Sequence, residues 1–180
     1  MQSEYSENIS KRGQTLFQKS LSPLGGKMRQ FIRKAKYYET DQMGIIHHSN
    51  YIRWMEEARI DMLDQLGYPY RRFEEMGYMS PVLHAECEYK KSVKFDDEVK
   101  IVVSLQEFGR VKFTLRYDIY NMSEGGELSA YGTTSHCFLK KSGRPVLIDK
   151  EMPEFTATMR TLERKKENRQ TEKTEANYGL

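Results

Sequence analysis

The sequence predicts an α+β fold in which an antiparallel sheet curves around one long amphipathic helix. Three observations lead to this prediction. One segment has apolar residues at helical spacing, three later segments alternate apolar and polar residues before a further strand, and short turn sequences join them. A single amphipathic helix cannot cover its own apolar stripe, and a sheet with one apolar face needs a cover. The helix and the sheet are therefore expected to bury each other.

The first half of the predicted domain consists of a strand, a loop and the long helix. "FIRKAKYYE" (31–39) is predicted as a strand, and "DQMGIIHHSNY" (41–51) follows it as a loop. Gly67 is expected to end the helix, and residues 70–77 are expected to add one or two helical turns. The helix begins near Asn50, and its apolar stripe consists of Tyr51, Met55, Ala58, Met62 and Leu66, widened by Ile52 and Leu63.

The second half has the two-residue period of strands that bury one face. The segments are 83–89, 99–105 and 111–119, and 127–141 is expected as a further strand that is apolar on parts of both faces. "FGR" (108–110) and "SEGGE" (123–127) are expected to form hairpin turns between them. Cys87 falls on the apolar face of its segment, so we expect a buried and inert thiol. The edge strands of such a sheet invite pairing with a second copy of the chain.

The distribution of charge limits the possible partners. Residues 28–159 contain 19 basic and 20 acidic residues, a net charge of −1, so the basic excess of the chain lies in its ends. A nucleic-acid-binding face should be concentrated in the folded part, so no nucleic-acid partner is expected. The 180-residue chain suits one domain, predicted at 28–155. The leader (1–27) is expected to be disordered, and the charged tail (156–180) disordered or a frayed helix.

Two further features bear on location. No apolar run is long enough to span a bilayer, and the N-terminal residues lack an apolar signal core, so no membrane partner is expected. The two cysteines, Cys87 and Cys137, lack the spacing of a disulfide framework or a zinc motif. These features predict a cytoplasmic protein.

The loop before the helix combines groups suited to chemistry at a carbonyl. Asp41 offers a carboxylate that can act as a base or a nucleophile. Ser49 or Asn50 can cap the helix, and the amides from His48 onward then lie at its electropositive end, where an oxyanion is stabilised. Gly44 permits a turn, or a close approach of the backbone that a side chain would block.

The pattern Asp41-x-x-Gly44-Ile45-Ile46-x-His48-Ser49-Asn50-Tyr51 resembles the active-site signature of hotdog-fold acyl-CoA thioesterases. The family is the 4-hydroxybenzoyl-CoA thioesterase type, including its Tol-Pal-associated branch. "YIRWMEEAR" (51–59) and "RPVLI" (144–148) also resemble this family, and the resemblance covers roughly 28–155. It implies a five-stranded antiparallel sheet around a long central helix, assembled into dimers or tetramers. It also implies hydrolysis of an acyl-CoA thioester to a free acid and CoA.

The resemblance implies roles for individual residues. Asp41 would be the catalytic carboxylate, as nucleophile or as base for water, and His48 would supply a main-chain amide that polarises the thioester carbonyl. A thioester is reactive enough that one oxyanion donor and one activated oxygen suffice, so no cofactor and no metal are expected. The remaining substrate-site residues are Gly44, Asn50, Tyr51 and two basic residues placed for the CoA phosphates, Arg110 and Lys112.

Other interpretations of these residues stay open at this point. A dehydratase or hydratase acting on acyl thioesters would need His48 paired with Glu56 or Glu57, although both acids are expected on the solvated side of the helix. A non-catalytic acyl-CoA-binding module is a second alternative. A metal site is a third, but adjacent histidines on an extended loop point apart and no HxxxH or CxxC pair supports it. The candidate ligands of such a metal site would be His47, His48, His84 and His136. Without a metal, His47 is expected to be a wall or surface residue.

Overall fold

The computed structural model describes residues 30–162, which form a five-stranded antiparallel sheet, a smaller two-stranded sheet and several helices. The large sheet has the order β1-β4-β5-β6-β3, with strands β1 (Phe31–Lys34), β3 (Val82–Tyr89), β4 (Glu98–Phe108), β5 (Lys112–Asn121) and β6 (Glu127–Cys137). The small sheet pairs β2 (Tyr78–Met79) with β7 (Leu139–Lys140). The α-helices are α1 (His48–Gln65), α2 (Tyr70–Glu75), α3 (Ile148–Glu151) and α4 (Pro153–Arg160).

Helix α1 buries the predicted apolar stripe against the large sheet. The stripe residues from Tyr51 to Met62 are at most 3% exposed, and Leu66 is half-buried. Trp54 and Arg59 are also buried, although the stripe did not include them. The residues at 70–77 form α2 as predicted. The α+β hotdog fold is therefore confirmed: a long helix wrapped by a five-stranded antiparallel sheet.

The inner strands β4 and β5 confirm the predicted alternation. Strand β5 lies between β4 and β6, and its inward-facing side chains are 3% exposed or less. Both predicted hairpin turns are present, because β4 ends at Phe108 before β5 begins at Lys112, and β5 ends at Asn121 before β6 begins at Glu127. The buried inward residues are Phe113, Leu115, Tyr117 and Ile119 on β5, and Val99, Ile101 and Leu105 on β4.

Strand β3 departs from the prediction of a half-buried strand. It forms one edge of the sheet and pairs with β6 alone, and it leaves Val82 51%, Leu83 46% and Tyr89 48% exposed. Cys87 is half-buried rather than buried, and burial raises the pKa of its thiol to about 11. The thiol is therefore protonated at neutral pH, as expected of an inert cysteine. Within residues 30–162 the apolar face of β3 is only partly covered: Cys87 packs against the core, whereas Leu83 and Tyr89 stay about half exposed.

The segment 31–39 is not one strand. Strand β1 ends at Lys34, and a single 3-10 turn follows at Tyr37–Glu39. The turn forms because the Glu39 carboxylate folds back to accept a hydrogen bond from the Lys36 main-chain amide, with 2.7 Å between nitrogen and oxygen. An extended strand would hold these two groups apart.

The folded domain continues beyond residue 155. Helix α4 buries Phe155 and Met159, which lie one helical turn apart, and the Leu105 amide of β4 donates to the Leu162 carbonyl at 3.0 Å. The sequence did not predict this helix, because its two large apolar residues, Phe155 and Met159, stand among polar and charged residues. The rest of the tail and the predicted leader (1–27) lie outside the described residues. Between residues 30 and 162, no helix combines the length and hydropathy needed to cross a membrane.

Candidate active site

The loop after the 3-10 turn is closed by hydrogen bonds between its own residues. The Asp41 amide donates to the Ile45 carbonyl at 2.8 Å, and the Gly44 amide donates to the Asp41 carbonyl at 3.0 Å. Gly44 has φ +74°, a conformation that side chains disfavour, while an added Cβ would meet nothing within 4 Å. The predicted turn is confirmed, and the backbone angle, not a close approach, accounts for the glycine.

The side chain of Asp41 is held at the open surface of this loop. One carboxylate oxygen accepts a hydrogen bond from the Met43 amide at 2.8 Å. The residue is half-buried, so the carboxylate is reachable from solvent. The hydrogen bond from the Met43 amide fixes one oxygen of the Asp41 carboxylate, so the group is held in one orientation.

The cap of helix α1 is His47, not Ser49 or Asn50. The His47 Nδ1 atom accepts from the Ser49 amide at 3.3 Å and lies 2.9 Å from the Ser49 hydroxyl. His47 therefore shapes the helix start rather than serving only as a wall or surface residue. Asn50 does not cap the helix. Its side-chain amide is buried and donates to the Glu39 carbonyl at 2.8 Å.

The His48 main chain presents a donor at the start of the helix. His48 is the first residue of α1, and within residues 30–162 no group accepts a hydrogen bond from its amide. Its carbonyl accepts a hydrogen bond from the Tyr89 hydroxyl at 3.1 Å. An amide without an acceptor at the positive end of a helix is suited to stabilising an oxyanion.

Asp41 and His48 line the same cleft, which is open and has a volume of about 230 Å³. Its other lining residues are Met43, Ile45, Ile46, Tyr51, Tyr89, Lys90, Lys91 and Ser92. Most of the wall is apolar or aromatic, and two lysines stand at one side. The structure therefore brings together three of the predicted site residues, namely Asp41, His48 and Tyr51, with Gly44 shaping the loop between them.

The two tyrosines of the cleft are neutral. Burial raises the pKa of Tyr51 to about 12, opposed in part by a hydrogen bond with the Val93 main chain, and burial likewise raises the pKa of Tyr89 to about 12. Their rings meet edge to face with centroids 5.1 Å apart. Neither hydroxyl is therefore poised to act as a base near neutral pH, and the pair forms an aromatic wall.

Glu39 is a buried carboxylate that the sequence did not point to. It is 5% exposed, and its side chain accepts hydrogen bonds from Arg33 at 2.6 Å, from the Trp54 indole at 2.9 Å and from the Lys36 amide at 2.7 Å. Only its position two residues before Asp41 could have drawn attention to it. Its partners Arg33 and Trp54 lie 6 and 15 residues away in the sequence, where no local pattern connects them.

Arg110 and Lys112 do not line this cleft. Lys112 pairs with Cys137 on β6, whereas the cleft residue Tyr89 pairs with Ala130 on the same strand. At about 3.3 Å per residue these two points of β6 are roughly 23 Å apart. Arg110 is exposed and forms an ion pair with Asp149 at 3.3 Å.

The cations at the cleft are Lys90 and Lys91, which follow β3 directly. Both are exposed, Lys91 forms an ion pair with Glu127, and the Lys90 ammonium lies 5.3 Å from the centre of the Tyr131 ring. The sequence offered only "YKK" after an alternating segment as a signal for them.

The acids of helix α1 face away from the cleft, as expected. Glu56 and Glu57 are exposed, and they pair with Arg59 at 3.5 Å and with Arg33 at 2.6 Å. Neither lines the cleft with His48, so the pairing that a dehydratase needs is not formed in the subunit. In the described part of the chain, no group of three or more His, Cys, Asp or Glu side chains is placed to hold a metal ion.

A second group of buried polar side chains lies on strands β5 and β6 of the large sheet, and none of its residues lines the cleft. The Tyr117 hydroxyl and the Thr134 hydroxyl are 2.8 Å apart, and Thr134 lies 2.7 Å from Nε2 of His136. His136 is fully buried, and its Nδ1 has no hydrogen-bond partner among residues 30–162. Burial, with the charge of Arg59, lowers the pKa of His136 to about 4, and burial raises that of Tyr117 to about 12. The group is therefore neutral at physiological pH.

Comparison with known proteins identifies the family. Residues 36–159 match the thioesterase-like superfamily. The chain is 40% identical over 122 residues to the "Putative esterase" of Aquifex aeolicus, and the match covers 68% of this chain and 92% of that protein. It is 36% identical over 123 residues to the "Putative acyl-CoA thioesterase YneP" of Bacillus subtilis, covering 68% of this chain and 88% of the relative.

A solved structure shows the same architecture. The DHNA-CoA thioesterase from Staphylococcus aureus superposes with a TM-score of 0.68 at 33% identity, over 73% of this chain and 88% of that chain. The family match begins before the Asp41 loop and ends within α4, so it includes the loop, helix α1 and the end of β3, which line the cleft. The chain belongs to the thioesterase-like superfamily.

Proposed function

We propose that this protein is an acyl-CoA thioesterase, which hydrolyses a thioester in the cleft formed by Asp41 and His48. One observation carries the proposal: Asp41, an oriented and accessible carboxylate, and His48, whose helix-terminal amide has no acceptor within residues 30–162, line the same cleft. Membership of the thioesterase-like superfamily supports thioester hydrolysis as the reaction. The Bacillus subtilis relative, whose name includes acyl-CoA thioesterase, supports a CoA thioester as the substrate.

The chemistry needs only these two groups. The thioester carbonyl oxygen would accept a hydrogen bond from the His48 amide, and negative charge developing on that oxygen would be stabilised by the helix terminus. Asp41 would either attack the carbonyl carbon or take a proton from an attacking water. In both routes a carbon–oxygen bond forms, the carbon–sulfur bond breaks, and CoA leaves as a thiolate that takes up a proton. If Asp41 attacks, the anhydride that forms is then hydrolysed by water, which releases the free acid and restores the carboxylate; if Asp41 acts as the base, the attacking water itself supplies the oxygen of the free acid.

Basic side chains would meet the phosphates of CoA in two places. Lys90 and Lys91 stand at the edge of the cleft of the same subunit. Arg110 and Lys112 lie at the far end of β6, so they would serve a cleft only across a subunit interface. We propose that the lysines contact the phosphates nearer the thioester and that the Arg110 region belongs to the cleft of a neighbouring copy.

The acyl group belongs to the apolar side of the cleft. The wall formed by Ile45, Ile46 and the two tyrosines suits an aliphatic or aromatic acyl group. The resemblance of the loop to the 4-hydroxybenzoyl-CoA thioesterase type supports that branch of the superfamily. The name of the Staphylococcus aureus neighbour, a DHNA-CoA thioesterase, makes aromatic CoA thioesters a first choice for testing.

The exposed edge of β3 supports assembly into a homodimer or homotetramer. Its uncovered apolar side chains would be buried by a second β3 edge, and Tyr89 of this strand already lines the cleft. Sedimentation velocity would test this with Leu83→Lys on β3 and Ile32→Lys as the matched control on the opposite edge, where Ile32 is 55% exposed. A monomeric Leu83→Lys beside an unchanged Ile32→Lys is expected. An unchanged assembly in both variants would contradict pairing through β3.

The proposed activity is tested by steady-state release of free thiol from a panel of short, long, branched and aromatic acyl-CoAs. The wild type is compared with Asp41→Asn, which keeps the shape of the side chain and removes its basicity. We expect turnover of at least one substrate to fall by about 10²- to 10⁴-fold in Asp41→Asn. Asp118→Asn is the matched control, because Asp118 is a buried carboxylate on β5 that pairs with Arg116 and does not line the cleft.

The outcomes separate the candidate functions. No thiol release from any substrate, with tight binding of an acyl-CoA, would replace the proposal with a non-catalytic binding module. Hydration of an enoyl thioester without thiol release would point instead to the hydratase class. Equal turnover in the wild type and Asp41→Asn would remove Asp41 from the mechanism.

A further inference from the structure

The carboxylate of Glu39 is buried directly behind the Asp41 loop and joins three separate segments. Arg33 comes from β1, Trp54 from the second turn of α1 and the Lys36 amide from the connection between them. All three donate to Glu39 at 2.6 to 2.9 Å. The carboxylate therefore fixes the distance between the edge of the sheet and the start of the long helix.

The main chain of Glu39 makes a second set of contacts, this time with the helix start itself. Its carbonyl accepts from the His47 amide at 2.9 Å and from the Asn50 side chain at 2.8 Å. His47 and Asn50 flank His48 and Ser49, the residues that form the first turn of the helix. One residue thus holds the helix terminus through its carbonyl and the surrounding elements through its carboxylate.

Asp41 lies two residues after Glu39 and begins the turn that faces this helix terminus. Thr40, the residue between them, forms a bridge with Ile46, so the chain has little freedom between Glu39 and Asp41. A displacement of Glu39 would move the Asp41 carboxylate relative to the His48 amide. Misplacement of a reacting group by about 1 Å can reduce a rate by about 10²-fold.

We propose that Glu39 is a positioning residue for thioester hydrolysis: it sets the Asp41 carboxylate against the His48 amide without touching the substrate. This inference rests on the proposed function, in which those two groups act on the thioester. Glu39 does not line the cleft, so its effect is expected in kcat and not in substrate binding.

The negative charge of Glu39 is what the site requires, because its strongest partner is a cation. The Arg33 side chain is 10% exposed, bridges Glu39 and Glu57, and places its guanidinium 4.8 Å from the centre of the Trp54 ring. An uncharged amide at position 39 would leave this buried guanidinium without its main partner. The segments that Arg33 and Trp54 anchor would then shift.

The test compares Glu39→Gln with Asp118→Asn in the thiol-release assay and in binding of a non-hydrolysable acyl-CoA thioether. Both variants replace a buried carboxylate that pairs with an arginine, but only Glu39 supports the cleft loop. We expect Glu39→Gln to lower kcat by about 10- to 100-fold with KM and thioether affinity within about threefold of wild type. Asp118→Asn should keep kcat within about twofold.

Arg33→Gln is the second variant, because it removes the charged donor and leaves Glu39 in place. Arg33→Gln should also lower kcat. In the double variant, the loss of kcat should be smaller than the product of the two single losses, because both substitutions break the same contact. A folded Glu39→Gln protein with wild-type kcat would overturn the inference. If Glu39→Gln does not fold, a folded Arg33→Gln protein with wild-type kcat would do so.

Failure of this inference is distinguishable from failure of the proposed function. Asp41→Asn measured alongside decides whether the Asp41 carboxylate acts in hydrolysis. Full loss in Asp41→Asn with no effect of Glu39→Gln would reject the positioning role alone. An equal loss of thioether binding and kcat in Glu39→Gln would show collapse of the cleft, and would also reject it.

Discussion

Two groups of buried polar side chains lie in the same subunit and have different relations to the cleft. The Glu39 cluster (Glu39 with Arg33, Trp54 and Asn50) is charged, and it joins β1 to the first two turns of helix α1. The His136 cluster (Tyr117, Thr134 and His136) is neutral, contacts no cleft residue through its hydrogen bonds and leaves one ring nitrogen unpartnered among the described residues.

Burial of a polar group does not by itself identify a functional residue. Burial lowers the pKa of His136 to about 4, yet this residue lies on β6 beside Phe113 and does not line the cleft. Glu39 is distinguished by connectivity, since it lies two residues before Asp41 and its hydrogen bonds include Asn50 and Trp54 of the helix that begins at His48. The contrast predicts effects on stability from the His136 cluster and effects on turnover from the Glu39 cluster.

The largest expected effect is a loss of stability when the His136 cluster is titrated. An unfolded histidine takes up a proton as the pH falls through about 6.5, while His136 in the folded protein does so only near 4. The unfolded state therefore gains protons first, and stability that is complete above pH 6.5 is lost between pH 6.5 and 4. The expected loss of unfolding free energy is about 3 kcal/mol, from 1.36 kcal/mol per pKa unit.

Urea denaturation at pH 7 and pH 4 would measure this loss. His136→Gln should lack the histidine part of the pH dependence, so the difference between the two pH values should shrink by about 3 kcal/mol relative to wild type. His84→Gln is the matched control, because His84 is exposed on β3. The same pH dependence in wild type and His136→Gln would show that His136 is not a neutral buried group.

The second prediction removes the hydrogen bonds of the His136 cluster without changing its shape. Thr134→Val leaves the buried Tyr117 hydroxyl and His136 Nε2 without their shared partner. The free energy of unfolding should fall by about 2 kcal/mol, as expected for unsatisfied buried polar groups. Thioesterase kcat should stay within about twofold of wild type, and a tenfold loss would link this cluster to the cleft.

The smallest effect is expected from one contact of the Glu39 cluster. Asn50→Ala removes the side-chain donor to the Glu39 carbonyl and leaves the His47 amide as the remaining donor. We expect kcat to fall about tenfold, which corresponds to about 1.4 kcal/mol in activation free energy. Thr134→Val serves as the control, because it also removes a buried side-chain hydrogen bond but at a residue that does not line the cleft. Equal kcat in Asn50→Ala and Thr134→Val would contradict the prediction that the Glu39 cluster affects turnover and the His136 cluster does not.

Much of the fold could be predicted because its local periods agree with its packing. The stripe of α1 and the alternation of β4 and β5 are confirmed, since each of these elements buries one continuous face. The same rule succeeded only in part at β3, where alternation is present but residues 30–162 cover Cys87 and leave Leu83 about half exposed. A two-residue period indicates an apolar face, and it does not indicate which chain covers that face.

The site was predictable where its groups are close in sequence. Asp41, Gly44 and His48 lie within eight residues, and the structure places Asp41 and His48 on one cleft. Glu39 could not be predicted, because its meaning depends on Arg33 and Trp54, which only the fold brings together. The cap at His47 was also missed, because serine and asparagine are the commoner caps and both stood next to it.

The hydrogen bond between Tyr89 and His48 links the sheet edge to the helix terminus. Tyr89 belongs to the edge strand β3, and its hydroxyl donates to the carbonyl of His48, which lines the cleft. A partner strand bound along β3 would restrict Tyr89 and, through it, the first turn of α1. In the proposed assembly through β3, specific activity per subunit should therefore fall on dilution below the dissociation constant of that assembly, and assays at nanomolar and micromolar protein would compare the turnover numbers.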